Sequence, residues 1–275
     1  MSSLVEITDL TVEYGRRGHV NRALDAVTMD VRAGETLGLV GESGSGKTTL
    51  GKALLGQSPV VGGRIDFDDQ DITRLSGRGR RALSQRIQVV FQNPYLSLNP
   101  QRTIAQSVAE TLSTRKDLSS DEVRERVLET LEQVGIQRTA ADKYPAAFSG
   151  GQRQRIAIAR ALLPRPDLVI CDEAVSALDL SIQAQVLNLL VELQDELGLA
   201  YLFITHDLSV VRHLCHRVVV LRGGELVEKG ETAQVCEQPQ EDYTRRLLAS
   251  APIADPEAQA LARSARRSTD HSVPV

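Results

Sequence analysis

The chain has 275 residues, enough for one large α/β domain or two small ones. With 41% hydrophobic and 25% charged residues its composition is globular, and no stretch approaches the ~18 apolar residues of a membrane-spanning helix, which excludes a self-contained channel or transporter. A net charge of −4, 3% aromatic residues and no tryptophan give neither the basic footprint nor the stacking surface of a nucleic-acid binder.

The opening residues carry Glu6 and Asp9 and no basic cluster ahead of an apolar run. That is the wrong pattern for a secretory signal and predicts a chain kept in the cytoplasm. Cys171, Cys215 and Cys236 lack paired spacing, so buried thiols are expected in place of disulfides, a zinc site or a cysteine-ligated cluster.

In chain order, strand-like and helix-like runs alternate, the pattern of an α/β fold with a parallel sheet. Short strands are expected at 4–10, 26–31 and 36–40, divided by turn residues that include Gly15, Gly18 and Gly34. A further β segment at 63–67 follows the first helix. Residues 94–148 read as helical, most clearly at 121–134, where Val123, Val127, Leu131 and Val134 share a face behind a Ser119/Glu122 capping box. Apolar runs return at 168–171 and 201–205 as buried parallel strands, separated by a helix at 181–197 that Gly198 can end. The last 25 residues, 251–275, turn Ala-, Pro-, Ser- and Arg-rich without periodicity and read as a mobile tail beyond a domain at 1–250.

Gly41-Glu-Ser-Gly-Ser-Gly-Lys47-Thr48 matches G-x-x-x-x-G-K-[ST] between an expected strand and an expected helix. Such glycines let successive N–H groups curl round a phosphate, and the following helix adds positive potential at its N-terminus. The candidate nucleotide ligands are Gly41, Ser43, Gly44, Ser45, Gly46, Lys47, Thr48 and Thr49, with Lys47 reaching the β- and γ-phosphates and Thr48 suited to Mg²⁺. Asp172 and Glu173 end the 168–171 strand. Adjacent side chains leave a strand in different directions, so Asp172 can face the metal while Glu173 faces an attacking water as general base.

Phe148-Ser149-Gly150-Gly151-Gln152-Arg153-Gln154-Arg155 leads into a helix stopped at Pro164, and with it the chain resembles the ATP-binding-cassette ATPases. The resemblance covers residues 4–250. It implies a nucleotide-binding core with a mostly parallel sheet, an antiparallel β subdomain and an inserted helical subdomain at about 94–148. Ser149, Gly150, Gly151 and Gln152 look like the signature sequence, which serves ATP held by a second cassette subunit in a head-to-tail dimer. Gln92 looks like the glutamine that touches Mg²⁺ and the water, the segment ending in Asp179 like the loop crossing the dimer interface, and His206 like the switch histidine of the γ-phosphate. Tyr14, 33 residues before Lys47, is the candidate adenine-stacking ring. ATP and Mg²⁺ are the implied cofactors.

A narrower resemblance rests on Phe91-Gln-Asn-Pro-Tyr-Leu-Ser-Leu-Asn-Pro100, on residues 181–190 and on Tyr243-Thr-Arg-Arg-Leu-Leu-Ala-Ser250. These look like the ATP-binding subunits of oligopeptide and dipeptide importers, a branch that includes nickel and glutathione importers. It implies two membrane permease subunits, an extracytoplasmic substrate-binding protein and a peripheral place on the cytoplasmic face of the membrane. Ala174 stands where proline is common after the glutamate, and Glu241-Asp242 where a His-Pro pair is usual. The other readings are a soluble cassette ATPase of DNA repair, chromosome structure or translation, and an accessory cassette of an enzyme complex. The single cassette and the lack of coiled-coil heptads and of a basic patch weigh against the first, and the 91–100 segment against the second.

Overall fold

The computed structural model describes residues 3–16, 19–93, 97–113, 115 and 117–250. The expected tail at 251–275, Gly18 of the first expected turn and residues 94–96 of the importer-like segment lie outside the described residues.

The first 32 residues do not form short strands. β1 (Ser3–Arg16) and β2 (His19–Arg32) are fourteen-residue partners in an antiparallel pair. Their length is possible because irregularities absorb the interruptions: Asp9 and Ala26 adopt positive φ, and the register shifts around them. At these points hydroxyls take over the ladder, with the Asp9 N–H donating to Thr28 Oγ1 at 2.9 Å and the Ala26 N–H to Thr11 Oγ1 at 3.2 Å. β3 (Thr36–Val40) and α1 (Lys47–Leu54) come next, followed by β4 (Val60–Phe67) and β5 (Gln70–Asp71). β4 joins β1, and the antiparallel sheet runs β2-β1-β4-β5.

The rest of the chain contributes α2 (Gly77–Arg86), β6 (Ile87–Phe91), α3 (Ile104–Ala109), α4 (Ser120–Gln133), α5 (Gly150–Leu162), β7 (Leu168–Asp172), α6 (Leu180–Leu197), β8 (Ala200–Ile204), α7 (Leu208–Leu214), β9 (Arg217–Arg222), β10 (Glu225–Glu231), α8 (Thr232–Glu237) and α9 (Asp242–Ser250). The second sheet runs β10-β9-β3-β8-β7-β6 and is parallel except where β10 pairs with β9. Its central strands β9, β3, β8 and β7 are apolar on both faces. Leu39, Ile170, Leu202, Ile204 and Leu221 pack with Val5, Ile7 and Phe67 of the antiparallel sheet and Leu50 of α1. Val169, Cys171, Tyr201, Phe203 and Val220 pack on the other side with Ile104, Val127, Leu131, Ile156 and Val186 of the helices. Burial on both faces is why 168–171 and 201–205 read as continuous apolar runs.

The expected capping box forms: Ser119 Oγ accepts from the Glu122 N–H at 3.3 Å and Glu122 Oε2 accepts from the Ser119 N–H at 2.8 Å, a device worth about 1 kcal/mol. Gly198 ends α6 at φ 67°. At the junction of the sheets the half-buried Arg217 grips Asp30 of β2 with two bonds of 2.8 and 2.9 Å and Glu35 at 3.2 Å. The guanidinium holds the Asp30 carboxyl below the usual aspartate range.

Candidate functional site

β3 ends at Val40, and the loop that follows turns directly into α1. Gly46, the residue before the helix, sits at φ 103°, and a Cβ there would come within 2.7 Å of the Ala23 carbonyl and 2.8 Å of Leu24, so only glycine fits between the loop and β2. No side chain caps α1, which leaves its first N–H groups to an anion. Lys47 is buried, and its ammonium donates to the Gly41 and Glu42 carbonyls at 2.8 Å each and to Ser45 Oγ at 3.4 Å. Burial pushes this ammonium below its ordinary range, opposed by the charges of Glu173 and Asp172.

The acids arrive on the neighbouring strand end. Thr48 Oγ1 donates to Asp172 Oδ1 at 3.4 Å, although 124 residues separate the two. Desolvation first, and the Glu173 charge second, raise the Asp172 carboxyl above the usual aspartate range. Thr48, Asp172, Glu173 and Gln92 line one hollow of about 700 Å³ together with Phe91 and Arg160. Their hydroxyl, carboxylate and amide oxygens form a hard donor set, which fits Mg²⁺.

Glu173 takes φ 51°, a left-handed conformation unfavourable for a residue with a Cβ. Its backbone is pinned on both sides: the N–H donates to the Ile204 carbonyl at 2.9 Å, and its carbonyl accepts from the Ser176 N–H at 3.1 Å and Oγ at 3.0 Å. Thus the ends of β7 and β8 are tied, which brings His206, just past β8, to the carboxylate: Nδ1 lies 3.1 Å from Glu173 Oε1.

A second hollow, about 370 Å³, is lined by Gly44, Ser45, Gly46, Lys47, Thr48 and Thr49 on one side and Tyr14 on the other. The Tyr14 hydroxyl pairs with Ser58 Oγ at 2.9 Å, and Ser58 donates to the Thr49 carbonyl at 3.2 Å, which links the ring to α1. Ser43 is exposed on the loop and is not among the described residues lining this hollow. Asn21, Arg22, Ala23 and Gly223 line it as well, and sequence reasoning did not find them. The signal for Gly223 was present: a Val-Val-Val-Leu-Arg run followed by Gly223-Gly224 is a hairpin pattern. That turn docks on the loop through the Gly224 N–H, which donates to the Ser45 carbonyl at 3.1 Å.

Ser149, Gly150, Gly151 and Gln152 form the N-terminus of α5 and are not among the described residues lining either hollow. Ser149 Oγ accepts from the Gln152 N–H at 3.3 Å, and Gln152 Oε1 from the Ser149 N–H at 3.0 Å, a reciprocal cap that still leaves the Ser149 O–H as a donor. Gly151 is required by packing: a Cβ there would lie 2.4 Å from Ile182 Cγ2 of α6. Asp179 caps α6, accepting from the Ile182 N–H at 3.0 Å and the Ser181 hydroxyl at 2.8 Å.

The ABC transporter family pattern matches residues 24–176. The oligopeptide transport ATP-binding protein OppF of Lactococcus lactis subsp. lactis (strain IL1403) is 42% identical over 262 residues, which span 93% of this chain and 82% of that protein. The dipeptide transport ATP-binding protein DppF of Escherichia coli (strain K12) is 47% identical over 236 residues, 86% of this chain and 71% of that one. Among solved structures, cbiO1 from Clostridium perfringens, part of the ABC transporter complex cbiONQ, superposes with a TM-score of 0.77 at 31% identity, covering 87% of this chain and 93% of that chain. The dimeric cassette MJ0796 bound to ADP and Pi gives 0.74 at 29% identity, covering 83% and 98%. This chain therefore belongs to the ABC transporter family. It is an ABC-type ATPase, the energy-coupling subunit of a membrane importer, and ATP is its nucleotide. Among its described residues no helix is long and apolar enough to cross a membrane.

Proposed function

We propose that this chain hydrolyses ATP to drive peptide import, acting in a head-to-tail pair of cassettes on two membrane permeases at the cytoplasmic face, with an extracytoplasmic substrate-binding protein delivering the peptide. The observation that carries this reading is the meeting of Lys47, Thr48, Asp172, Glu173 and His206 at one end of the parallel sheet, while Ser149 caps a separate helix. The kinship to OppF and DppF, whose names specify oligopeptide and dipeptide transport, supports the cargo class.

In this reading the loop N–H groups and Lys47 cradle the β- and γ-phosphates, and Tyr14 lies against the adenine. Thr48, Asp172 and Gln92 would hold Mg²⁺, which supplies charge neutralisation at the phosphates. Glu173, fixed by its pinned backbone, takes the proton from the attacking water. His206 orients that carboxylate and meets the γ-phosphate. The Ser149 hydroxyl and the first N–H groups of α5 receive the γ-phosphate of the partner's ATP, with Asp179 in the loop that crosses between subunits.

Ser149→Arg tests the shared site. Nucleotide affinity of the lone chain should stay near that of the parent, because residues 41–48 hold the phosphates without Ser149. ATP-dependent association should fail in the assembled complex. A large loss of affinity in the lone chain with association intact would contradict the reading. Peptide as cargo is tested by measuring uptake of labelled peptides in cells lacking this chain, with unchanged uptake as the opposing result.

A further inference from the structure

The last described helix, α9, carries a residue that touches the phosphate loop. The Glu42 N–H, the second residue of the loop, donates to the Tyr243 hydroxyl at 3.2 Å across 201 residues of sequence. Tyr243 is 6% exposed, and the Arg222 guanidinium lies over its ring at 5.1 Å, so the hydroxyl is presented from a fixed base. The Gly41–Glu42 peptide that carries this N–H is held on its other side as well, where the Gly41 carbonyl accepts from Lys47 Nζ at 2.8 Å.

We propose that Tyr243 is a positioning residue for the phosphate loop, its hydroxyl fixing the Gly41–Glu42 peptide in the conformation that receives the nucleotide phosphates. The proposal rests on the assignment of residues 41–48 as the phosphate cradle. Loop closure round an anion needs successive peptide planes turned inward, and a Gly41–Glu42 plane free to flip would break that series at its start. Gly224 holds the Ser45 carbonyl in the same way, so the segment after β8 grips the loop at two points. Tyr243 thereby acquires a role in ATP binding that its position, far from the loop in sequence, conceals.

Tyr243→Phe keeps the ring and its stack on Arg222 and removes one hydroxyl. In the full chain, without nucleotide, amide hydrogen exchange at Glu42 should quicken about three- to tenfold. The Kd for a fluorescent ATP analogue with Mg²⁺ should rise by a similar factor, and the KM for ATP with it, while kcat stays within a factor of two. Thr244→Val is the control: Thr244 is 2% exposed on the same helix, and its hydroxyl has no hydrogen-bond partner among the described residues, so both readouts should match the parent. Unchanged exchange and affinity in Tyr243→Phe would overturn the proposal. So would quickened exchange with unchanged affinity, or an equal effect from Thr244→Val. If the parent chain binds no analogue, the cradle assignment fails and the proposal with it, while exchange at Glu42 still reports separately on the hydroxyl contact.

Discussion

Glu173 and His206 are 33 residues apart in sequence and 3.1 Å apart in space, carboxylate oxygen to imidazole Nδ1. Glu173→Gln keeps the size of the side chain and its hydrogen bonding but removes the proposed base. Because a positioned base is typically worth about 10²–10⁴ in rate, kcat for ATP hydrolysis should fall by that order while binding of ATP persists. Steady-state hydrolysis beside equilibrium nucleotide binding reads both; hydrolysis within a factor of a few of the parent would assign the base elsewhere.

Lys47→Ala removes an ammonium that lies among the loop carbonyls and that we propose faces the phosphates. Nucleotide binding should weaken severely and turnover vanish, as measured by calorimetric titration with ATP and by phosphate release. Near-normal hydrolysis would sink the assignment of the loop.

Gly151 and Ile182 form a steric pair, since a Cβ on the glycine would lie 2.4 Å from Ile182 Cγ2, close to a branch point that cannot swing away. Gly151→Ala should cost about 1–3 kcal/mol by overpacking. Ile182→Ala in the same chain should restore much of that loss. Urea unfolding of the parent, the two single variants and the double variant measures the coupling, and strict additivity would show that the helices adjust without strain.

Asp30 owes its lowered pKa first to its hydrogen bonds with Arg217. For an acid whose folded value lies below its unfolded one, the stabilisation is complete above the ordinary aspartate range and is lost as pH falls through the lowered value. Asp30→Asn should therefore cost about 1.5 kcal/mol at neutral pH, and the difference from the parent should shrink in acid. Thermal melts across pH would show two parallel curves if the pair contributed nothing.

The elements that local chemistry dictates were legible in the sequence. Thr36–Val40 and Leu168–Asp172 hold apolar runs that read as strands, and Ser119, Glu122 and Gly198 mark helix ends by side-chain chemistry or by a left-handed cap. The phosphate loop and the Asp172-Glu173 pair are contiguous motifs, so their chemistry can be read without knowing the fold. What escaped depends on distant partners. The bulges at Asp9 and Ala26 are rescued by Thr28 and Thr11 from the opposite strand, which no local window reveals. Asn21, Arg22 and Gly223 become lining residues because β2 and the β9–β10 turn flank the loop. The packing role of Gly151 needs Ile182 beside it, and a signature glycine gives no sign of that contact.

The Lys47 ammonium is already engaged by its own loop, by two carbonyls at 2.8 Å and a hydroxyl at 3.4 Å. A phosphate arriving there enters an exchange of acceptors, in which the cation gives up neutral oxygens for anionic ones. The lysine is also a tie rod, spanning from the first turn of α1 back to Gly41 and Glu42. Losing it slackens the cradle as well as discharging it, so charge and shape fail together, and an amine returned in solution would restore the first without the second.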